Sequence, residues 1–211
     1  MTVTLDELTV ADAPDAWREC GFEVEGNALM VDGIRIRLKP AEGERGLTRW
    51  SLRGARSLDL DGLPTSESDR PSPDEAPPHP NGVTGLDHVV AISSDLDRTV
   101  EALSAAGLDL RRIREEPTPA GAPRQAFFRL GATILEVVQE PPEATGRHGG
   151  DRPAFFWGLA FIAPDLERTV AYLGGDRVSQ FRPAVQPGRQ IATLRRAAGL
   201  SVPVALMTPR D

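Results

Sequence analysis

Residues 83–141 read VTGLDHVVAISSDLDRTVEALSAAGLDLRRIREEPTPAGAPRQAFFRLGATILEVVQEP and predict a strand, a helix and three further strands. Leu86–Ile92 is rich in β-branched and apolar residues, which is typical of a strand. Ser94 or Asp95 is suited to cap the helix, and Gly107 to end it. The three strands expected after the helix are Leu108–Arg114, Gln125–Leu130 and Ala132–Gln139.

The same pattern recurs towards the C-terminus. DLDRTV at residues 95–100 returns as DLERTV at residues 165–170, an offset of 70 positions (165 − 95). A strand is expected before the second helix at Trp157–Ala163, and Gly174 follows that helix. The later strands expected are Val178–Pro183, Gln190–Arg196 and Val202–Met207. Two related βαβββ modules predict that each buries its sheet against the other.

Residues 1–63 predict a shortened and degenerate module of the same kind. Residues 4–10 (TLDELTV) align with residues 85–91 (GLDHVVA), and residues 46–54 resemble a further first strand. Between them a helix is expected at Asp12–Cys20. The strands expected after that helix are Phe22–Glu25, Ala28–Val31 and Ile34–Leu38.

Residues 64–82 contain six prolines and four acidic residues, which is typical of a flexible linker with His79 exposed to solvent. The predicted domains are therefore a partial module at 1–63, this linker, and a two-module domain at 83–211. The two modules of that domain are expected at 83–141 and 154–211.

Two motifs within this organisation resemble a known superfamily. The first strand ends LDHVV at residues 86–90, and the fourth strand reads ILEVV at residues 134–138. Tandem βαβββ modules with such strands resemble the vicinal oxygen chelate superfamily, which includes glyoxalase I, extradiol dioxygenases, methylmalonyl-CoA epimerase and the bleomycin-resistance proteins. The resemblance covers residues 83–211. It implies an α+β protein in which the modules form a partly open, eight-stranded mixed β barrel around a small-molecule cavity.

The resemblance also implies candidate site residues. Enzymes of the superfamily hold a divalent metal on the first and fourth strands of their modules, and His88 and Glu136 match two of those positions. A histidine nitrogen and a carboxylate oxygen suit Zn, Fe, Mn, Ni or Co. A catalytic metal needs about three protein ligands, yet Gly158 occupies the His88 position in the second module. Leu206, or Ala205 in a shifted register, occupies the Glu136 position there.

Three interpretations of His88 and Glu136 remain open at this stage. They are part of a metal site completed by His148, by the N-terminal module or by a partner chain. They work without metal, with Glu136 as a base and His88 as its hydrogen-bond partner. They line a binding cavity and catalyse nothing. Binding without a complete metal site is favoured, and a metal-dependent lyase, isomerase, epimerase or dioxygenase is the alternative.

The shortened module within residues 1–63 has a different pair of residues at the positions of His88 and Glu136. The alignment places Glu7 at the His88 position and Arg37 at the Glu136 position, and Arg49 at the His88 position of the further strand. Glu7 and Arg37 form an ion pair, which excludes a metal, or else the alternating residues Arg35 and Arg37 are simply on the solvent-exposed side of a half-exposed strand.

Aromatic and basic residues near these strands predict the rest of a ligand site. Such sites are mostly apolar with a few polar groups, and an arginine can grip a carboxylate or phosphate through its forked donors. The ligand-binding residues predicted on this basis are Phe128, Arg129, Arg124, Trp157 and Phe156.

The composition of the chain indicates which partners and which location to expect. The net charge of −7 argues against nucleic acid as a partner. The single cysteine, Cys20, fits a reducing cytoplasm and is expected to pack as a small apolar residue. No stretch of about 18 apolar residues is present, so no membrane span is expected. The sequence therefore predicts a cytoplasmic protein of bacterial type that binds a small molecule, with a homodimer as a possible assembly.

Overall fold

A computed structural model describes residues 2–70, 77–118, 121–147 and 151–210. The described strands form one sheet of five and one of eight strands, neither of them closed, so the chain is the mixed α+β protein expected. The strands are β1 (Thr4–Val10), β2 (Ala28–Val31), β3 (Ile34–Leu38), β4 (Leu47–Arg53), β5 (Thr65–Glu67), β6 (Gly85–Ser93), β7 (Asp109–Arg114), β8 (Gln125–Leu130), β9 (Thr133–Gln139), β10 (Phe155–Ile162), β11 (Arg182–Pro183), β12 (Gln190–Thr193) and β13 (Val204–Met207). The α-helices are α1 (Pro14–Glu19), α2 (Leu96–Ala105), α3 (Pro142–Arg147) and α4 (Leu166–Leu173). None of the helices in the described ranges is long and apolar enough to cross a membrane.

Contacts between residues divide the chain into two compact units. Unit 1 is Met1–Asp6, Arg49–Arg70 and His88–Trp157; unit 2 is Glu7–Thr48, Pro71–Asp87 and Gly158–Asp211. Each unit draws on three separate stretches of sequence. The domain boundaries at residues 63 and 82 stay predictions, because contacts alone do not define which stretch folds independently.

Unit 1 contains the first βαβββ module in the predicted order. Strand β6 runs parallel to β9, which is antiparallel to β8, which is antiparallel to β7. Helix α2 contacts β7, β8 and β9. Its first turn is capped by the Asp95 carboxylate, which accepts a hydrogen bond from the backbone N–H of Arg98 at 3.1 Å. Its buried residues Leu96, Thr99 and Leu103 form the stripe that a 3.6-residue period places on one face.

Unit 1 also contains the short parallel pair β4–β5. Residues Thr65–Glu67 form β5 beside Trp50–Leu52, although residues 64–82 were expected to be linker. Beyond this strand, the fully buried Asp6 carboxylate accepts hydrogen bonds from Arg53, Ser68 and Arg70. These hydrogen bonds connect residues at the ends of β4 and β5 to Asp6 on β1.

Unit 2 contains the second βαβββ module and the shortened one. Strand β10 runs parallel to β13, with β12 and β11 following in antiparallel order. Helix α4 repeats the cap of α2, because Asp165 accepts a hydrogen bond from the Arg168 N–H at 2.9 Å. In the shortened module β1 is parallel to β3, and β3 is antiparallel to β2. The strand expected at Phe22–Glu25 is reduced to one bridge, between Glu25 and Ala28.

The prediction that His79 is exposed is wrong. His79 is only 7% exposed, and its Nδ1 accepts a hydrogen bond from the Glu23 backbone N–H at 3.0 Å. Its ring packs edge-on against Phe22, with ring centroids 5.3 Å apart. Phe22 also contacts Trp17 and Phe161, so His79 belongs to an aromatic core within unit 2.

Candidate functional site

The strand registers of unit 1 arrange side chains in rows across one face of its sheet. Arg112 on β7 is paired with Phe127 on β8, Phe127 with Glu136 on β9, and Glu136 with Val90 on β6. Residues paired directly across adjacent strands project to the same side of a sheet. These four side chains therefore form one row, with Glu136 near its middle.

Two further rows flank this one. Because side chains alternate along each strand, residues two positions away share the same face; at β7 the spacing is changed by a bulge between Leu110 and Arg112. The flanking rows are Asp109, Arg129, Ile134 and His88 on one side, and Arg114, Gln125, Val138 and Ile92 on the other. We call these twelve residues the Glu136 face.

Glu136 is the polar centre of this face. Its Oε1 accepts a hydrogen bond from the Gln125 side-chain amide, and its Oε2 lies 3.6 Å from the His88 Nε2. The His88 and Glu136 side chains are only 13% and 14% exposed. A separation of 3.6 Å is too long for a hydrogen bond, so the carboxylate and the imidazole are close neighbours with no direct hydrogen bond between these two atoms.

The structure thus brings together the two residues selected from the superfamily resemblance. Gln125 was not predicted as a site residue. The available signal was the spacing on its strand, because Gln125, Phe127 and Arg129 alternate and so share one face. Which face of β8 lies on the same side of the sheet as Glu136 depends on the register between β8 and β9. That register cannot be read from the sequence of β8 alone.

The donor set on this face does not fit a complete metal site. The donors that lie together are the His88 imidazole and the Glu136 carboxylate, which are two, and a protein-bound catalytic metal needs about three. Within the described ranges, no three His, Cys, Asp or Glu side chains are grouped to hold a metal ion. His148, which was considered as a further ligand, lies outside the described residues.

The equivalent positions of the shortened module hold an ion pair. Thr9 on β1 pairs with Arg37 on β3 in the same parallel register as Val90 with Glu136. Arg37 donates to both carboxylate oxygens of Glu7, from Nε at 3.1 Å and from Nη2 at 2.9 Å. This confirms the ion-pair interpretation of Glu7 and Arg37. The hydrogen bond to Glu7 raises the pKa of Arg37 above its ordinary value.

The remaining copies carry no carboxylate–imidazole pair. On β13, Ala205 pairs with Ala160, so Ala205 and not Leu206 corresponds to Glu136. Gly158 occupies the His88 position, so the second module has no side chain at these two positions that can bind a metal or a ligand polar group. On the β4–β5 pair, Arg49 donates a hydrogen bond from Nη1 to the Ser66 hydroxyl at 3.0 Å.

Two of the predicted aromatic ligand residues lie in the core. Phe128 is fully buried and projects from β8 to the opposite side from Glu136, so Phe127 replaces it on the Glu136 face. Phe156 is also buried and packs against the Trp50 ring at a centroid distance of 5.1 Å. Trp157, its neighbour on β10, is 51% exposed.

The two predicted arginines occupy different surroundings. Arg129 is exposed and lies on the Glu136 face. Arg124 precedes β8 and donates to Glu115 at 2.7 Å and to Asp97 at 3.0 Å. These hydrogen bonds, chiefly the one to Glu115, raise the pKa of Arg124. Arg124 instead lines a separate open pocket of about 340 Å³ at the start of α2, with Asp95, Asp97 and Asp151 among its other lining residues.

Comparisons with known proteins support the fold. No protein-family model and no curated protein sequence matches the chain. Among solved structures, a xylose isomerase-like TIM barrel/4-hydroxyphenylpyruvate dioxygenase fusion protein is similar with a TM-score of 0.58 and 14% identity, over 97% of this chain and 49% of that chain. Methylmalonyl-CoA epimerase from Mycobacterium tuberculosis is similar with a TM-score of 0.49 and 22% identity, over 62% and 91% of the two chains. A methylmalonyl-CoA epimerase in complex with methylmalonyl-CoA and NH4+ gives 0.49 and 22%, over 61% and 96%.

The chain has the fold of the vicinal oxygen chelate superfamily. This assignment rests on the similarity to the fusion protein and on the repeated βαβββ order of strands and helices. At 14% identity the similarity defines the fold alone. The function must therefore be argued from the side chains.

Proposed function

We propose that the chain binds a small organic molecule on the Glu136 face of unit 1. The observation that supports this most directly is the half-buried Glu136 carboxylate, which has an amide and an imidazole beside it and apolar side chains around it. Burying a carboxylate costs several kcal/mol unless its oxygens are hydrogen-bonded. Each oxygen can accept more than one hydrogen bond, so Glu136 retains capacity to bind a donor group of a ligand.

The surroundings of the carboxylate suit an organic ligand. Val90, Ile134 and Val138 lie on the same face, and Phe127 is the direct cross-strand neighbour of Glu136. A mostly apolar surface with a few fixed polar groups is the usual composition of a small-molecule site. The Glu136 face therefore combines apolar area for affinity with a carboxylate for orientation.

Glu136 and His88 also define what chemistry the site could perform. A carboxylate beside an imidazole can accept a proton from a bound molecule and share it with the ring nitrogen. A metal-dependent lyase, isomerase, epimerase or dioxygenase reaction is the alternative, and it would use the same two residues as donors with further ligands from elsewhere.

Ligand binding is tested by comparing two matched variants. Thermal shift with a set of small carboxylic acids, amides and alcohols identifies compounds that stabilise the wild-type protein, and calorimetry gives their Kd values. Glu136→Gln keeps the side-chain shape, and we expect it to weaken binding about tenfold or more, which corresponds to about 1.4 kcal/mol. Glu101→Gln, on the exposed side of α2, is the control and should bind as wild type. Equal affinity in both variants, or no stabilising compound, contradicts the proposal.

Metal dependence is tested separately. Dialysis against Zn, Fe, Mn, Ni or Co followed by elemental analysis measures bound metal in wild type, His88→Ala and Glu136→Gln. Stoichiometric metal that is lost in both variants favours the metal-dependent alternative over metal-free binding. The homodimer and the cytoplasmic location stay predictions, and light scattering measures the first of them.

A further inference from the structure

We infer that the ligand of the Glu136 face is a small organic anion, a carboxylate or a phosphate ester, whose charged group binds Arg129 and Arg112. This inference rests on the proposed function and adds the class of ligand. Its starting point is the charge of the face. The twelve residues of the Glu136 face include three arginines and only two carboxylates, those of Asp109 and Glu136. The chain as a whole carries a net charge of −7, so the face differs in sign from the chain as a whole.

The two arginines are available to a ligand. Arg112 and Arg129 are exposed, and neither forms an ion pair among the described residues. Asp109 is the direct cross-strand neighbour of Arg129, yet its carboxylate pairs with Arg111 at 3.3 Å. The third arginine, Arg114, lies 3.6 Å from the Glu116 carboxylate. Arg112 and Arg129 are thus the two cations on this face whose N–H groups can donate to a ligand.

The aromatic ring of Phe127 sets the position of one guanidinium. The Arg112 Cζ lies 5.1 Å from the Phe127 ring centroid, a cation–π distance that places the guanidinium over the ring. Phe127 is flanked in its row by Arg112 and Glu136. A ligand beside this ring therefore has a cation at one end and a carboxylate at the other.

Strand spacing gives an upper limit on the length of such a ligand, because the Arg112 guanidinium lies over Phe127, one strand nearer to Glu136. Neighbouring strands lie about 4.8 Å apart, so the backbones that carry Arg112 and Glu136, two strands apart, are separated by about 10 Å. An acid with its anionic group at the arginines, an apolar middle beside Phe127 and Ile134, and a hydrogen-bond donor at Glu136 fits within this limit. Guanidinium groups bind carboxylate and phosphate oxygens through paired N–H donors. The net negative charge of the chain disfavours long polyanions, which leaves small anions as the class.

Three matched probes test the inference, each with a phenolic hydroxyl as the donor for Glu136: 3-(4-hydroxyphenyl)propanoate, 2-(4-hydroxyphenyl)ethyl phosphate and the neutral 3-(4-hydroxyphenyl)propanamide. Calorimetry at constant ionic strength gives their Kd values. We expect at least one anion to bind tenfold or more tightly than the amide, and the tighter of the two distinguishes carboxylate from phosphate. Arg129→Gln and Arg112→Gln should each weaken binding of that anion about tenfold and leave the amide unaffected. Arg56→Gln, an exposed arginine of unit 1 outside the three rows, should bind as wild type.

The possible failures are distinguishable. If the amide binds as tightly as the anions, or if Arg129→Gln binds the anion as wild type does, the inference is wrong. If none of the three probes binds while other compounds bind in a Glu136-dependent manner, the ligand is not an anion of this class and the proposed function stands. If no compound binds, both fail together. Arg112 and Arg129 are exposed, so thermal melts of their variants should match wild type and exclude unfolding as the cause.

Discussion

Replacing Asp87 should destabilise the protein severely, because its carboxylate neutralises a buried arginine. Asp87 immediately precedes His88 on β6, and its side chain is 2% exposed. Arg189, which is 5% exposed, donates to one carboxylate oxygen at 2.8 Å, and the half-exposed Arg210 donates to the other at 3.3 Å. The Arg189 guanidinium also donates to the Thr208 carbonyl.

The size of the effect follows from burial. Removing one partner of a buried ion pair leaves the other charge without compensation and costs about 3–5 kcal/mol. The same change in an exposed pair costs less than about 1 kcal/mol, because water replaces the lost partner. A domain of this size is stable by about 5–15 kcal/mol. Asp87→Ala should therefore remove a large share of the total stability.

Unit 2 offers an exposed pair as a matched control. Arg18 and Asp15 lie 2.7 Å apart, close to the separation in the buried pair, but their side chains are 42% and 87% exposed. Urea unfolding followed by circular dichroism should give a loss of about 3–5 kcal/mol for Asp87→Ala and less than about 1 kcal/mol for Asp15→Ala. The double variant Asp87→Leu/Arg189→Met, which removes both charges, should be more stable than Asp87→Ala. Similar losses in Asp87→Ala and Asp15→Ala would refute the reasoning.

Two further predictions concern buried groups in unit 2. Burial lowers the pKa of His79 below its ordinary value of 6.5, against weaker opposing effects of the Met30 carbonyl and Glu23. The unfolded chain then binds the proton more readily, so the free energy of unfolding should fall as the pH drops through about 6.5. His79→Phe should flatten this dependence when urea unfolding is measured at pH 5–8. An unchanged slope in the variant contradicts the prediction. Burial likewise raises the pKa of Cys20 to about 11, so iodoacetamide should not label the native protein at pH 8 but should label it in urea. Rapid native labelling, measured by mass spectrometry, would show the thiol to be accessible.

The regular parts of the fold were predictable because their signals are local. The helix after β6 was expected from Asp95 as cap and from apolar residues at helical spacing, and the same signals recur at Asp165. Each depends on residues within about two turns of one another, so a single sequence contains them. The proximity of His88 and Glu136 was expected from the superfamily resemblance, which implies that these positions of the first and fourth strands face one site.

The errors have a non-local cause. Phe127 and Phe128 are both apolar, so their side-chain directions depend on the register of β8 with β9, and Phe128 was selected wrongly. Composition predicted that residues 64–82 are solvated, yet Thr65–Glu67 pairs with β4 and His79 packs on Phe22. Partners distant in sequence determine both, and proline-rich composition carries no information about them.

The repeated fold also explains why one copy of the module is the candidate site. In each copy the parallel register brings the same positions of the first and fourth strands close together, so the side chains there decide what the copy can do. Glu7 and Arg37 neutralise each other through two hydrogen bonds and need no further partner for their charges. Gly158 and Ala205 offer no polar group. Among the described residues, Glu136 is paired with no arginine or lysine, and its neighbours are an amide and an imidazole. A half-buried carboxylate without a permanent cation is the arrangement that a ligand can complete. Arg112 lies at one end of the same row, and Arg129 lies in the row beside it.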